Sequence, residues 1–279
     1  MGIDMIKSIL FGIVEGITEW LPISSTGHMI LLEEFVKLSS NEDFMEMFNV
    51  VIQLGAIMAV VILYFSKLWP FQSPKKPGGI VKHDTFRLWL KVIVASIPAM
   101  AIGLPFDDVI DELFFNTQTV AATLVIYGIA FIWLEKRKKP RHLKLIREEQ
   151  ELSLKTAFLI GCFQALSMIP GTSRSGATIL GASLLGVARP MAAEFSFFMG
   201  IPAMAGASLI KVLKFIMGGF ALTQSEVVIL AVGTVTAFVV SVLAIRTFIS
   251  YIQKHSFVVF GWYRIALGAL VAAYFLFVK

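Results

Sequence analysis

Six stretches of the chain are apolar over a length that can cross a lipid bilayer. A transmembrane helix needs about 20 mainly apolar residues. The stretches that meet this requirement are about 46–65, 88–105, 117–134, 192–215, 226–245 and 257–277. This pattern predicts an all-α integral membrane protein with six transmembrane helices.

Two further apolar regions are interrupted by polar residues. Residues 3–37 are broken at Leu21-Pro22 and the SSTGH run, and residues 156–187 are broken at Pro170-Gly171 and the SRSG run. Each piece covers about half a bilayer or slightly more, at roughly 1.5 Å per residue. Irregular backbone at membrane depth is tolerated only where protein buries it or a polar cavity solvates it. We therefore interpret both regions as re-entrant helical hairpins, the alternative being two kinked full spans.

The two interrupted regions are related in sequence. GIVEGITEWLPISSTGHMI begins at Gly12, and GCFQALSMIPGTSRSGATI begins 149 positions later at Gly161. Aligned without a gap, they share four identical pairs, and a fifth pair sets a glutamate against a glutamine: Gly12/Gly161, Ser24/Ser173, Gly27/Gly176, Ile30/Ile179 and Glu15/Gln164. The match predicts an internal repeat in which each half is one hairpin followed by three spans.

Composition and charge refine this interpretation. Hydrophobic residues make up 57% of the 279 residues and charged residues 15%, with a mean hydropathy of +0.81, whereas soluble domains carry about 25% charged residues. The net charge of +5 comes from basic residues crowded into loops 66–87 and 135–155. Membrane topology explains this crowding better than a nucleic-acid partner does, because cytoplasmic loops are enriched in Lys and Arg.

These loop charges predict the orientation of the repeat. With both basic loops in the cytoplasm and the acidic segment 106–116 outside, the first hairpin opens outward, the second opens inward, and both termini lie outside. The chain would then be one membrane domain, 1–279. Its inverted pseudo-repeats, about 1–134 and 156–279, would be joined by the basic cytoplasmic loop 135–155, and their broken helices would meet near the midplane.

The turns of the hairpins are candidates for binding an anion. The second arm of each hairpin begins after a Ser-rich turn, and a helix N-terminus attracts anions through free N–H groups and its dipole. An arginine at this point would bind phosphate through paired hydrogen bonds. The candidate substrate-binding residues are Ser24, Thr26, Ser173, Arg174, Ser175 and Thr178. One serine in each turn is also expected to cap its helix.

Acidic and nucleophilic side chains accompany this anion site. Glu15 and Glu19 are four residues apart and share one helix face. They could hold a divalent cation, Mg²⁺ or Ca²⁺. A salt bridge with Arg174 or another buried cation, or a shared proton, are the alternatives. Ser25 and His28 are candidates for a nucleophile or base.

Two charged residues in the spans are further candidates for function that we do not include in the site. Arg264 and Glu194 are expected near the cytoplasmic boundary, where a long side chain can reach the surface or pair with an opposite charge.

Two long motifs resemble those of the bacitracin-resistance family of undecaprenyl-pyrophosphate phosphatases. They are EGITEWLPISSTGHM, from Glu15 to Met29, and PGTSRSGAT, from Pro170 to Thr178, and the resemblance extends from the N-terminus to the last span. Trp20 stands where the family would have Phe. The resemblance implies an enzyme of the bacterial cytoplasmic membrane that removes the terminal phosphate of undecaprenyl pyrophosphate. This reaction recycles the lipid carrier for peptidoglycan and other cell-wall polymers and confers bacitracin resistance.

The resemblance also assigns roles to individual residues. It implies chemistry on the outer side of the membrane with a divalent cation as cofactor, held by Glu15 and Glu19. The implied catalytic residues are Glu15, Glu19, Ser25, His28 and Arg174. Ser25, His28 and water all remain candidates for the nucleophile. The expected partners are the isoprenoid pyrophosphate and the lipid bilayer, and a second copy of the chain is a further candidate.

An inverted repeat with broken helices is also a plan used by transporters. The alternative function is therefore a membrane transporter or flippase for an anion or a lipid phosphate. Carboxylates, arginine, serine and histidine gathered at one point favour hydrolysis, because translocation alone does not require a reactive histidine.

Overall fold

A computed structural model describes residues 2–277 of the chain, apart from 39, 41, 73–79, 138–144 and 220. Parts of both basic loops, including Lys75, Lys76 and Arg141, fall outside the described residues. The described residues form eleven α-helices: α1 (Gly2–Thr18), α2 (Ser25–Phe35), α3 (Glu42–Leu63), α4 (Phe65–Leu68), α5 (His83–Phe114), α6 (Thr117–Lys136), α7 (Leu154–Ala165), α8 (Arg174–Leu184), α9 (Arg189–Met217), α10 (Gln224–Lys254) and α11 (Val258–Phe277).

Six of these helices are long and apolar enough to span a membrane, which confirms the predicted number. They comprise Asp43–Leu63, His83–Gly103, Thr117–Lys136, Arg189–Met217, Gln224–Lys254 and Val258–Phe277. The protein is therefore an all-helical, multi-pass membrane protein. Two helices are longer than predicted: α5 continues through the acidic segment to Phe114, and α10 continues to Lys254. Hydropathy reveals only the apolar part of a helix, so these polar extensions were missed.

The chain breaks where the two interrupted regions predict it. Helix α1 ends at Thr18 and α2 begins at Ser25, while α7 ends at Ala165, a 3₁₀ turn covers Leu166–Met168, and α8 begins at Arg174. Pro22 and Pro170 lie in these two gaps. Proline lacks an N–H donor and disfavours a helical conformation of the residue before it, so it fits a break in the helix at these two positions.

The two broken regions pack crosswise. Helix α1 lies along α10, and α7 lies along α5. Equivalent glycines make both contacts close. A Cβ on Gly12 would lie 2.6 Å from the Gly233 carbonyl oxygen, and a Cβ on Gly161 would lie 2.1 Å from the Ala95 carbonyl oxygen. Helix α1 is thus held mainly by a helix late in the chain, and α7 mainly by a helix early in the chain.

The largest hydrophobic core surrounds the two turns. Trp20, in the first turn, is fully buried and packs edge-on against Phe197 of α9, with ring centroids 5.2 Å apart. The polar residues between α1 and α2 are therefore enclosed by packed helices.

A polar contact joins α5 to the 3₁₀ turn Glu149–Glu151, which precedes α7. Lys91 Nζ donates a hydrogen bond of 2.6 Å to the main-chain oxygen of Glu149, and its distance to the Glu149 carboxylate is 3.8 Å. Burial raises the pKa of the Glu149 carboxyl, and the charge of Lys91 opposes this shift. The charges of Asp84 and Glu194 also raise the pKa of Glu149, and the charge of Lys67 also lowers it.

Candidate active site

The two turns have the same unusual backbone geometry. Ser24 and Ser173 have φ values of 75° and 70°, and they are the two non-glycine residues with positive φ among those the structure describes. The Ser24 hydroxyl accepts the Gly27 N–H at 3.2 Å, and the Ser173 hydroxyl accepts the Gly176 N–H at 3.1 Å. Both serines are therefore N-caps, as predicted. A non-glycine residue in this conformation is strained and persists only where the surroundings hold it.

Arg174 connects the second turn to the first. Its Nη2 and Nε donate to Glu19 Oε1 at 3.0 Å and 3.3 Å, and its Nη1 donates to the Ser196 carbonyl oxygen at 2.7 Å. Helix α9 approaches closely here, since a Cβ on Gly200 would lie 2.8 Å from Arg174 Cζ. The predicted alternative of a salt bridge between Glu19 and Arg174 is thus present in the structure.

Ser25 completes a chain of polar contacts with these residues. Its hydroxyl donates to Glu19 Oε2 at 2.8 Å, so the two oxygens of this carboxylate serve Ser25 and Arg174 separately. Glu19 is 7% exposed, and a buried hydrogen bond to a carboxylate is stronger than one in water. The arrangement can take a proton from Ser25 while Arg174 stabilises negative charge.

Glu15 lies one helical turn before Glu19, whose N–H donates to the Glu15 carbonyl oxygen at 3.1 Å. It is 1% exposed, and its Oε1 is buried without a hydrogen-bond partner among the described residues. An unpaired buried carboxylate oxygen is costly, and a hard divalent cation would satisfy it. The described residues contain no group of three or more His, Cys, Asp or Glu side chains able to hold a metal. Two carboxylates and substrate oxygens would have to suffice.

His28 has both ring nitrogens engaged. Nδ1 lies 2.7 Å from the Ser24 carbonyl oxygen, and Nε2 lies 2.7 Å from the Tyr263 hydroxyl. Since a carbonyl oxygen only accepts, Nδ1 carries the proton, and Nε2 of the neutral ring accepts from Tyr263. The rings of His28 and Tyr263 are stacked, 5.6 Å apart and 7° from parallel. No hydrogen bond joins His28 to Glu19 or Arg174 in the described part of the chain.

The remaining predicted binding residues differ in what they contact. Ser175 donates to the Glu19 carbonyl oxygen at 3.0 Å, and the Thr178 hydroxyl lies 2.6 Å from the Ser196 hydroxyl. These two side chains are buried and tie the second turn to the first turn and to α9. Thr26 is half-buried in the first turn of α2.

The expectation that the Arg264 side chain could reach the surface was wrong. It is fully buried and contacts both turns. Its Nη1 donates to the Pro22 carbonyl oxygen at 3.2 Å, and its Nη2 donates to the Gly171 carbonyl oxygen at 2.8 Å. The available signal was a lone arginine in an apolar span. Glu194 does pair as expected, with Lys67 at 2.6 Å.

A cavity of about 540 Å³ lies beside the turns, between α5 and α9. Its lining includes Gln164 of α7 and Pro202 of α9, and also Lys211 and Lys214 towards the C-terminal end of α9. Pro202 is within one turn of Gly200, which abuts Arg174. The cavity is mostly apolar, and it adjoins the helix segment that contacts Arg174.

The similarity of the chain to known proteins runs along nearly its whole length. The family described as Bacitracin resistance protein BacA matches residues 8–270. The undecaprenyl-diphosphatase of Lachnoclostridium phytofermentans is 56% identical over 280 residues, which cover 99% of each chain. Those of Acetivibrio thermocellus and Enterococcus faecalis are 56% identical over 277 residues, with 99% and 100% of the chains covered, and 57% identical over 274 residues, with 97% of each covered.

Proposed function

This chain belongs to the bacitracin resistance protein BacA family, and from that premise we propose how its two turns perform the reaction for which its relatives are named. The chain hydrolyses undecaprenyl pyrophosphate to undecaprenyl phosphate and inorganic phosphate. The reaction recycles the lipid carrier of cell-wall precursors, and this activity fits the bacitracin resistance in the family's name.

The terminal phosphate binds between the two turns, against the N-termini of α2 and α8. Arg174 has five N–H donors, of which three are used in hydrogen bonds to Glu19 and Ser196. The other two can bind phosphate oxygens, and the first N–H groups of both helices add further donors. Because these groups are fixed before the substrate arrives, they stabilise charge in the transition state without reorganising.

Ser25 is the nucleophile in this proposal, and its hydrogen bond to Glu19 is the observation that carries it. The Ser25 oxygen attacks the terminal phosphorus while its proton passes to Glu19 Oε2. The bond from that phosphorus to the bridging oxygen breaks, and undecaprenyl phosphate leaves. Water then attacks the phosphoserine phosphorus, the bond from that phosphorus to the Ser25 oxygen breaks, and Glu19 Oε2 returns the proton to that oxygen as inorganic phosphate leaves. His28 lies three residues after Ser25 on α2, and its Nε2 accepts from the Tyr263 hydroxyl. That hydroxyl can take a proton from the attacking water while it passes its own proton to Nε2.

Glu15 and Glu19 are the residues that would hold a divalent cation, Mg²⁺ or Ca²⁺. The support for this assignment is the buried, unpartnered Oε1 of Glu15 one turn from Glu19. When bound, the cation would offset negative charge on the pyrophosphate and on the leaving phosphate.

In the membrane, the two hairpins are re-entrant and the halves form an inverted repeat. Similar φ values and similar capping bonds at Ser24 and Ser173 support this arrangement, as does the crosswise packing of α1 and α7. By the loop charges, the first hairpin and the site open to the outer side, and both termini lie outside. The isoprenoid chain lies in the cavity between α5 and α9.

The test is phosphate release from farnesyl pyrophosphate, a short soluble isoprenoid substrate, by purified protein in detergent. Assays contain Mg²⁺, Ca²⁺ or a chelator, and compare Glu19→Gln and Ser25→Ala with Glu112→Gln on the exposed end of α5. We expect cation-dependent release that falls by about 10²-fold or more in the two site variants and persists in Glu112→Gln. Near-normal turnover by Ser25→Ala would exclude serine as the nucleophile, and full activity in chelator would exclude the cation.

A further inference from the structure

Arg264 is a buried cation that touches both turns of the proposed active site. Its side chain is fully buried in α11. Besides its bonds to the carbonyl oxygens of Pro22 and Gly171, its Nη2 donates to the Thr172 carbonyl oxygen at 2.9 Å. A Cβ on Gly176, in the first turn of α8, would lie 3.0 Å from Arg264 Nη1. One guanidinium thus binds the main chain on both sides of the site.

The charge of Arg264 has no carboxylate to balance it. In the described part of the chain no acidic side chain forms a salt bridge with it, and its Nε is buried without a partner. The guanidinium carbon lies 5.4 Å from the centroid of the Tyr127 ring. A buried charge balanced only by carbonyl dipoles and a ring is expensive. A residue needed only to fill this space would be neutral.

In the first half of the chain, the position that corresponds to Arg264 is occupied by a neutral residue. Thr123 is the seventh residue of α6 and Arg264 is the seventh residue of α11, both helices being 20 residues long. The Thr123 hydroxyl donates to the Pro170 carbonyl oxygen at 2.7 Å. A threonine therefore suffices to hold one turn from one helix. The arginine differs in that its planar fork reaches two turns at once and brings a positive charge.

We propose that Arg264 is a positioning residue for the phosphatase reaction: it fixes the first turn, which carries Ser25, relative to the second, which carries Arg174. The inference rests on the proposed function of those two residues. The attacking oxygen and the phosphate clamp belong to different turns, so in-line attack requires their spacing to be held. Arg264 is the described side chain that bonds to the main chain of both.

Loss of this connection should affect the chemical step more than binding. Without Arg264, the phosphate still has Arg174 and the N-terminus of α8, so KM should change little. Misplacement of a reacting group by about 1 Å can cost about 10²-fold in rate. A lysine at this position keeps the charge, but its single ammonium group cannot replace a planar guanidinium that bonds to both turns. It should therefore restore the rate only in part.

The experiment compares Arg264→Met and Arg264→Lys with Arg246→Met, a matched control on an exposed site of α10. Each purified protein is assayed for kcat and KM with farnesyl pyrophosphate, and its folding is checked by gel filtration and thermal unfolding. We expect kcat to fall about 100-fold in Arg264→Met and about 10-fold in Arg264→Lys, with KM within about threefold of wild type in both. Arg246→Met should match wild type.

Other results would overturn the proposal. A raised KM with unchanged kcat would mean that Arg264 binds the substrate, and unchanged kcat and KM would mean that the turns need no such connection. Failure of both Arg264 variants to fold, while Arg246→Met folds, would assign the residue a structural role only. A wild-type protein that releases no phosphate would overturn the proposed function itself, and this is seen before any variant is compared.

Discussion

Replacing Gly161 with alanine should destabilise the protein even though alanine is the better helix former. Gly161 lies in α7 where this helix crosses α5, and a Cβ there would lie 2.1 Å from the Ala95 carbonyl oxygen and 2.8 Å from the Ala95 carbonyl carbon. Ordinary contact begins at 3.4 Å, so the helices must move apart by about 1.3 Å. The obstacle is main chain, which cannot rotate away as a flexible side chain can.

The magnitude follows from two opposing effects. Replacing glycine with alanine inside a helix stabilises the folded state by about 0.5–1 kcal/mol. Overpacking a closely packed contact costs about 1–3 kcal/mol, and a gap of 0.5–1 Å already forfeits about a quarter to a half of the dispersion energy between the separated surfaces. We therefore expect a net loss of about 1–2 kcal/mol, which lowers the unfolding temperature by about 2–4 °C per kcal/mol.

Thermal unfolding in detergent measures this effect, and the chain supplies a matched control. Gly206 lies inside α9, and a Cβ there would meet nothing within 4 Å, so Gly206→Ala should leave the unfolding temperature unchanged or raise it. Gly12→Ala should lower it, because Gly12 makes the corresponding contact with α10. An unfolding temperature for Gly161→Ala at or above that of Gly206→Ala would refute the steric argument.

Two further predictions concern proton positions. Burial raises the pKa of Glu149 and Lys91 opposes this, so the stability from its protonated form is complete below the ordinary glutamate pKa and is lost as pH rises through the raised value. Glu149→Gln should flatten that decline in unfolding temperature, and a pH profile identical to wild type would contradict it. Tyr263→Phe removes the hydroxyl that donates to His28 Nε2. Loss of a hydrogen bond worth about 0.5–1.5 kcal/mol should lower kcat for phosphate release by up to about tenfold, and should lower the free energy of unfolding by no more than that amount. An unaltered kcat would show that this hydrogen bond does not serve catalysis.

The sequence was sufficient to predict the elements that depend on local chemistry. Apolar length predicted the six spans, and proline beside serine and glycine predicted both breaks, because these signals act within a few residues. The capping roles of Ser24 and Ser173 followed from the same local rules. Hydropathy failed where helices continue into polar surroundings, as α5 does beyond Gly103 to Phe114.

The contacts that make the site could be predicted only in part. Pairing of Glu19 with Arg174 was foreseen as an alternative to metal binding, because charged side chains in a membrane segment are costly unless they pair with an opposite charge. The contacts of Arg264 were missed because its partners lie 242, 93 and 92 positions away in the chain. No local sequence pattern predicts contacts between residues so far apart in the chain, because these contacts depend on how α11 packs. The partnership of His28 with Tyr263 was missed for the same reason.

The packing of α1 against α10 has a consequence for biosynthesis. Helix α1 leaves the ribosome well before its main packing partner, α10, which begins at Gln224. Throughout synthesis of the intervening chain, the segment that carries Glu15 and Glu19 lacks the surface that will bury it. The nascent protein must therefore tolerate two carboxylates near the bilayer in a provisional arrangement, and final closure of the site waits until the second half has been inserted. A chain truncated before α10 should consequently be a substrate for membrane quality-control proteases.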